Sequence, residues 1–169
     1  EQTPTQLAVE PAVEPAVEPA VEPAAETTKY VPREIDKWED LDAKMDLLRG
    51  IYAIGFETPS PIQKKAIAPM FDRKDVIAQA KSGTGKTRCF AVAALQLIDA
   101  TKDAPQVLIV APTRELAMQT QQVINNIGSQ IKGMKTQLLI GGTSTEEDIR
   151  QLSENTPHII IGCPGRVHD

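Results

Sequence analysis

Residues 80–87 read AKSGTGKT, a run of small residues that ends in a lysine and a hydroxyl side chain. Glycines let several backbone amides converge on one anion, and the ammonium of Lys86 can bind the outer oxygens of a polyphosphate. The hydroxyl of Thr87 can serve as a ligand to Mg²⁺. In the general pattern G-x-x-x-x-G-K-[ST], Gly85, Lys86 and Thr87 match, and Ala80 stands in place of the first glycine. The run therefore predicts a phosphate-binding loop, and the competing interpretation is a flexible turn with a solvated lysine.

A phosphate-binding loop needs a strand before it and a helix after it, and the apolar pattern predicts both. Four short aliphatic and β-branched runs are typical of strands buried on both faces: 75–80, 106–111, 135–140 and 158–162. Helical patterns separate them at 86–100, 115–129 and 146–153. Ser144 precedes the last helix with Glu147 three residues on, which is a capping-box pattern. Strands joined by crossover helices predict a parallel α/β sheet.

Two further helices are predicted upstream of the loop. Residues 42–54 carry apolar side chains at helical spacing, and Gly55 can end that helix. A second helix, 62–70, starts after the sequence Pro59-Ser60-Pro61. The chain after its N-terminal segment is therefore predicted to form one α/β domain.

Charge and cysteine content limit the possible partners. The net charge of −5 resides in the first 30 residues, which hold six acids and one base, while residues 31–169 hold 17 of each. A neutral domain can bind nucleic acid through local amides and arginines but lacks a long-range basic field. The two cysteines, Cys89 and Cys163, lack metal-site spacing and predict reduced thiols in a cytoplasmic or nuclear protein. No apolar run of about 18 residues is present, so we expect no membrane partner.

The N-terminal segment is a tetrapeptide repeat. The unit AVEP occurs four times between Ala8 and Pro23. Each proline removes a backbone donor and biases the residue before it away from the α region, so neither helix nor sheet can propagate. Residues 1–36 are predicted to be a disordered, extended acidic linker, and a partner-docking motif is the alternative.

Five short motifs follow one another along the chain: GFETPSPIQ (55–63), AQAKSGTGKT (78–87), APTRELA (111–117), GG (141–142) and CPGR (163–166). This ordered set resembles the DEAD-box RNA helicases, and the resemblance covers the chain from about Trp38 to Asp169. The run LLRGIYAIGF is most similar to the branch containing the helicase subunit of the translation-initiation cap complex and its splicing-associated relatives. A GTPase would be expected to carry an Asn-Lys-x-Asp run, which the sequence lacks.

The resemblance implies a P-loop NTPase fold in which residues 37–169 form the first RecA-like domain, a parallel sheet flanked by helices. The domain is expected to be incomplete here, because the family's Asp-Glu-Ala-Asp motif, Ser-Ala-Thr motif and second RecA-like domain would follow Asp169. ATP and Mg²⁺ are the implied cofactors.

Roles in the nucleotide site are implied residue by residue. Gln63 matches the family's adenine-reading glutamine, and Phe56 and Tyr52 match or lie near the aromatic that contacts the base. Core packing is the alternative for both aromatics and for Trp38, which matches an isolated upstream aromatic. The residues assigned to the cofactor are Tyr52, Phe56, Pro61, Gln63, Ala80, Lys81, Ser82, Gly83, Thr84, Gly85, Lys86, Thr87 and Arg88, with Lys86 and Thr87 assigned to catalysis and Thr87 to the metal.

Three motifs at the carboxyl ends of predicted strands imply contacts to the RNA backbone. The residues assigned to RNA are Pro112, Thr113, Arg114, Glu115, Gly141, Gly142, Pro164, Gly165 and Arg166. Turn formation is the alternative role for the glycines. The family usually carries threonine where this chain has Cys163, so a hydroxyl is replaced by a weak thiol.

The implied function is the ATP-binding and RNA-binding N-terminal part of an RNA helicase, which hydrolyses ATP when RNA binds and locally separates duplexes. The alternative is a catalytically inactive nucleotide-binding, RNA-binding or protein-docking fragment. The implied partners are RNA, held without sequence preference through its phosphates, the second RecA-like domain, and translation or splicing factors.

Overall fold

The computed structural model describes residues 30–169. Residues 1–29, which make up most of the predicted disordered linker, lie outside the described residues. A compact unit spans Pro32–Asp169. Ile35, which the sequence assigns to the linker, has a buried side chain, and its backbone amide donates to the Lys64 carbonyl at 3.1 Å.

Six α-helices and three strands make up the regular structure of the described residues. In chain order they are α1 (Met45–Ala53), α2 (Pro61–Phe71), α3 (Lys86–Leu97), β1 (Val107–Val110), α4 (Arg114–Ile127), β2 (Thr136–Leu139), α5 (Thr145–Glu154), β3 (Ile159–Gly162) and α6 (Pro164–His168). Short 3-10 helices cover Trp38–Asp40 and Gly128–Gln130. The five predicted helices are therefore present, with ends shifted by at most three residues.

The strands form one parallel sheet in the order β1-β3-β2. Ile159 at the start of β3 is in register with Val107 on one side and Thr136 on the other. Helix α4 connects β1 to β2, and α5 connects β2 to β3, so the carboxyl ends of all three strands meet at one edge. The predicted parallel α/β sheet is confirmed.

The strand predicted at 75–80 is wrong. Within the described residues, sheet pairing involves only β1, β2 and β3, and Ile77 is fully exposed. A strand needs a hydrogen-bonding neighbour, and residues 75–80 pair with neither edge of the sheet. Burial on both faces is also wrong for β1, because Leu108 and Val110 are half exposed on one face.

The core lies between the sheet and the helices packed on it. Leu47, Ile51, Leu95, Ile124 and Ile159 are fully buried. Burying each such aliphatic side chain contributes about 1.5–3 kcal/mol to folding. Helix α1 crosses the end of α4 so closely that a Cβ added to its Gly50 would lie 1.8 Å from a carbonyl oxygen of α4.

Trp38 belongs to this core. Its side chain is fully buried, and its indole N–H donates to the Phe56 carbonyl at 2.9 Å. The tryptophan thereby anchors the chain that leads into α2, and core packing is its observed role.

Candidate functional site

The glycine-rich loop at 80–87 closes on itself at the start of α3. Gly83 and Gly85 have φ angles of +78° and +94°, a backbone region that only glycine adopts readily. The ammonium of Lys86 donates to the carbonyl oxygens of Ala80 and Lys81, each at 2.5 Å. The lysine charge therefore lies within the ring of the loop, at the amino end of a 12-residue helix whose dipole favours anions.

The start of α2 holds this loop from one side. Ser60 Oγ donates to the Thr84 carbonyl at 2.9 Å, and Gln63 Nε2 donates to the Gly85 carbonyl at 3.2 Å. The Ser60 amide donates to Gln63 Oε1 at 2.8 Å, and the two residues form a reciprocal capping box with Pro61 at the first helical position. Gln63 is buried, so its amide joins the helix start to the loop.

The two aromatic candidates have different surroundings. The Arg88 guanidinium lies 3.7 Å from the centroid of the Phe56 ring, a cation–π contact that connects the first turn of α3 to the segment before α2. The Tyr52 hydroxyl hydrogen-bonds to Glu39, which raises the pKa of Tyr52 to about 12 and lowers the pKa of the Glu39 carboxyl. Phe56 and Arg88 therefore lie together at the loop, whereas Tyr52 is paired with the 3-10 helix upstream.

The phosphate loop and the loop after β1 share a cavity of about 320 Å³. Lys86 and Thr87 line it from α3, and Pro112 lines it from the β1–α4 connection. Cys89 also lines the cavity, where burial raises the pKa of its thiol to about 11 and the thiol donates to the Gly85 carbonyl at 3.6 Å. The structure thus brings the predicted metal-binding hydroxyl beside one of the predicted RNA motifs.

Arg114 and the glycine pair meet at the carboxyl edge of the sheet. Thr113 caps α4 by accepting a hydrogen bond from the Leu116 amide at 3.3 Å. A Cβ atom added to Gly141 or Gly142 would lie 3.2 Å or 3.0 Å from the guanidinium nitrogens of Arg114. The guanidinium therefore lies close to a backbone that carries no side chain, and the structure brings Arg114, Gly141 and Gly142 together.

Arg166 is engaged inside the protein. Its guanidinium donates to the Thr143 carbonyl at 2.5 Å and to the Thr145 hydroxyl, and lies 3.6 Å from Asp148 Oδ2. Its side chain is only 9% exposed. Cys163, the residue that replaces the family threonine, caps α6 without a side-chain hydrogen bond.

The remaining residues predicted to bind RNA lie at two helix starts. Glu115 is in the first turn of α4, and Pro164 and Gly165 open α6. All three are exposed. Both helices begin at the carboxyl edge of the sheet, because α4 follows β1 and α6 follows β3.

Three residues of the site were not predicted from the sequence: Ser60, Asp148 and Gln137. Ser60 stands three residues before Gln63, a spacing that signals a capping box. Asp148 is buried, accepts from the Thr143 hydroxyl at 3.1 Å, and has its carbonyl bonded by Gln137 Nε2 at 3.0 Å. No local pattern marks Asp148, because its partners are set by the tertiary fold.

Two broader features of residues 30–169 concern ligands and membranes. Within this part of the chain, no group of three or more His, Cys, Asp or Glu side chains is placed to hold a metal ion. No helix described here has the length and apolar content needed to cross a bilayer.

Known proteins resemble this chain in sequence and in fold. A sequence model of DEAD/DEAH box helicases matches residues 60–169. The chain is 51% identical over 143 residues to the ATP-dependent RNA helicase eIF4A of Yarrowia lipolytica, and the match covers 85% of this chain and 35% of that protein.

Solved structures of two such proteins share the fold. A DEAD box protein from the hyperthermophile Methanococcus jannaschii has a TM-score of 0.74 at 31% identity, covering 79% of this chain and 36% of that one. A Dbp5 variant of S. cerevisiae bound to RNA and ADP BeF3 has a TM-score of 0.67 at 33% identity, covering 79% and 33%. The chain spans about a third of the length of these relatives.

Proposed function

Because the chain belongs to the DEAD/DEAH box helicase family, we propose that it is the ATP-binding and RNA-binding N-terminal part of an ATP-dependent RNA helicase. The observation that carries the proposal is the ammonium of Lys86 held within a glycine loop at the amino end of α3. The ammonium already donates to two loop carbonyl oxygens, and phosphate oxygens can replace them as its acceptors.

Mg²⁺ fits this site through the Thr87 hydroxyl. In nucleotide sites, Mg²⁺ is held mainly by phosphate oxygens and water, with few protein ligands. Thr87 is the second residue of α3 and lines the same cavity as Lys86, so one hydroxyl can reach an ion bound to the phosphates. When bound, the ion supplies charge neutralisation to the transferred phosphoryl group.

The adenine base is assigned to the surface formed by Phe56, Gln63 and Arg88. A glutamine amide can donate to adenine N7 and accept from its exocyclic amine, whereas guanine carries a carbonyl acceptor in place of that amine. Gln63 must exchange its present bonds to Gly85 or Ser60 to do so, which couples base binding to the loop. Tyr52 is a weaker candidate, because its hydroxyl is bonded to Glu39.

RNA is assigned to the carboxyl edge of the sheet, where Arg114 packs on Gly141 and Gly142. Exposed backbone amides and one guanidinium suit a phosphodiester backbone and carry no base sequence information. In the full-length protein, hydrolysis and duplex separation are proposed to require the second RecA-like domain that the family carries. Translation or splicing factors are the proposed protein partners.

The proposal is tested by ATP binding to the full-length protein that contains these residues, measured by displacement of a fluorescent nucleotide in Mg²⁺ buffer. Lys86→Ala is expected to weaken ATP binding at least about tenfold, since it removes the charge beside the phosphates. Lys132→Ala removes the same charge from an exposed residue outside the loop and is expected to leave ATP binding unchanged. Equal affinity in wild type and Lys86→Ala would overturn the proposed nucleotide site.

A further inference from the structure

A buried ion pair lies beneath the loop that carries the glycine pair. The Arg166 and Asp148 side chains are 9% and 11% exposed, and 3.6 Å separates guanidinium nitrogen from carboxylate oxygen. The two side chains come from α6 and α5, so their meeting is a product of the fold.

A buried guanidinium is costly to desolvate and is stable only when its donors are bonded. Arg166 donates to the Thr143 carbonyl and the Thr145 hydroxyl, and its guanidinium lies 3.6 Å from the Asp148 carboxylate as an ion pair. To reach a phosphate in solvent it would have to give up these bonds and leave Asp148 buried without its partner. Arg166 is therefore poorly suited to bind RNA directly.

The contacts of the pair converge on Thr143. Arg166 bonds the carbonyl of Thr143, and Asp148 accepts from the hydroxyl of the same residue. Gln137 on β2 bonds the backbone carbonyl of Asp148 and fixes the first turn of α5 to the sheet. Gly142, with φ of +95°, directly precedes Thr143 and packs on Arg114.

We propose that Asp148 and Arg166 are positioning residues for RNA binding: together they clamp Thr143 and hold Gly141 and Gly142 against Arg114, and Arg166 makes no phosphate contact. This inference rests on the proposed RNA-binding function of the same edge. It reassigns Arg166, which sequence reasoning placed among the RNA-contacting residues.

The direction in which one substitution changes RNA affinity distinguishes the two roles. Asp148→Asn keeps the size of the side chain and removes its charge. A positioning role predicts that RNA binding weakens, by about fivefold to twentyfold for a coupling of ordinary size. A direct phosphate contact predicts the opposite, because Arg166 would be released toward RNA. Binding is measured by fluorescence anisotropy of a labelled single-stranded oligouridine with the full-length protein.

The salt dependence of binding gives a second, independent readout. Loss of one phosphate contact to single-stranded RNA lowers the slope of log K against log salt by about 0.7. Arg114→Gln is expected to lower the slope by that amount, whereas Arg166→Gln is expected to weaken binding with the slope unchanged. A slope that falls equally in both variants would overturn the positioning role.

A control for correct folding is measured on the same samples. ATP affinity reports whether the domain is intact, since neither Asp148 nor Arg166 lines the cavity that holds Lys86 and Thr87, and it is expected to be unchanged in every variant. Thr145→Val removes one acceptor of Arg166 without removing a charge, and is expected to weaken RNA binding in the same direction as Asp148→Asn but by less. Tighter RNA binding by either variant would overturn the inference. Wild-type protein that binds no oligouridine would overturn the proposed function instead, and the inference with it.

Discussion

At Gly85 the loop lies so close to helix α2 that an added side chain would displace the amide of Gln63. A Cβ atom there would lie 2.6 Å from Gln63 Nε2, and the φ angle of +94° disfavours any other residue. At Gly83 the φ angle is similar, but no atom lies within 4 Å of the added Cβ. Substitutions at the two glycines therefore distinguish the free-energy cost of a strained backbone from the added cost of a steric contact.

Gly83→Ala is expected to lower the free energy of unfolding by about 1 kcal/mol, the cost of a left-handed conformation. Gly85→Ala is expected to lower it by at least twice as much, because the new methyl group also displaces Gln63. Chemical denaturation of both variants is the measurement. Equal losses would show that the contact between Gln63 and Gly85 is not tight.

Cys163 offers a second prediction for a single residue. A threonine oxygen at this position can accept a hydrogen bond from the first turn of α6, and the cysteine makes no such bond. Cys163→Thr is expected to raise the free energy of unfolding by about 0.5–1 kcal/mol. Cys163→Val is the matched control, since it has nearly the shape of threonine without the hydroxyl. Equal stability of the two variants would contradict a capping role.

At the scale of elements, the start of α2 acts on the phosphate loop through Ser60 and Gln63. Each of the two residues supplies one half of the same capping box. Replacing either with alanine is therefore expected to remove about 1 kcal/mol of helix stabilisation. They differ in chemistry, because the Gln63 amide can match the edge of a purine and the Ser60 hydroxyl is assigned only to the loop.

Gln63→Ala is therefore expected to weaken ATP binding and to reduce the preference for ATP over GTP. Ser60→Ala is expected to weaken both nucleotides alike and leave the ratio unchanged. Competition of ATP and GTP for a fluorescent nucleotide measures the ratio in each variant. A ratio that Gln63→Ala leaves intact would reduce Gln63 to a residue that caps α2 and holds the loop.

The elements also show what local pattern can and cannot predict. Helical spacing identified α1 to α5, and aliphatic runs identified β1, β2 and β3, because each pattern reflects the face that the element buries. The run at 75–80 has the same composition and forms no strand, since pairing depends on neighbours far away in sequence. The site divides in the same way: the glycine loop was predicted from its local motif, whereas the Asp148–Arg166 pair arises from tertiary contacts.

At the scale of the whole molecule, the sheet leaves an apolar face and edge uncovered at β1. Leu108 and Val110 are half exposed, and β1 pairs only with β3 within the described residues. A groove of about 1180 Å³ continues this surface between β1 and α3 and is lined by Leu108, Ile109, Phe90 and Leu97. Exposed strand edges with apolar side chains promote association between copies.

The 169-residue chain expressed by itself is therefore expected to self-associate as its concentration rises. Leu108→Lys with Val110→Lys places charges on the exposed face and is expected to restore a monomer. Static light scattering over a concentration series measures the mass of both proteins. A wild-type chain that stays monomeric throughout would contradict an exposed, adhesive β1.

We propose that one edge of this sheet joins an ATP site to an RNA site, and RNA-stimulated ATP turnover by the full-length protein is the measurement that distinguishes this arrangement from two independent sites. Wild-type protein is expected to hydrolyse ATP faster when oligouridine is added. Lys86→Ala is expected to reduce the stimulated rate at least about tenfold, equivalent to about 1.4 kcal/mol in the activation barrier. Turnover that RNA does not stimulate, or that Lys86→Ala leaves unchanged, would contradict a shared ATP and RNA site at this edge.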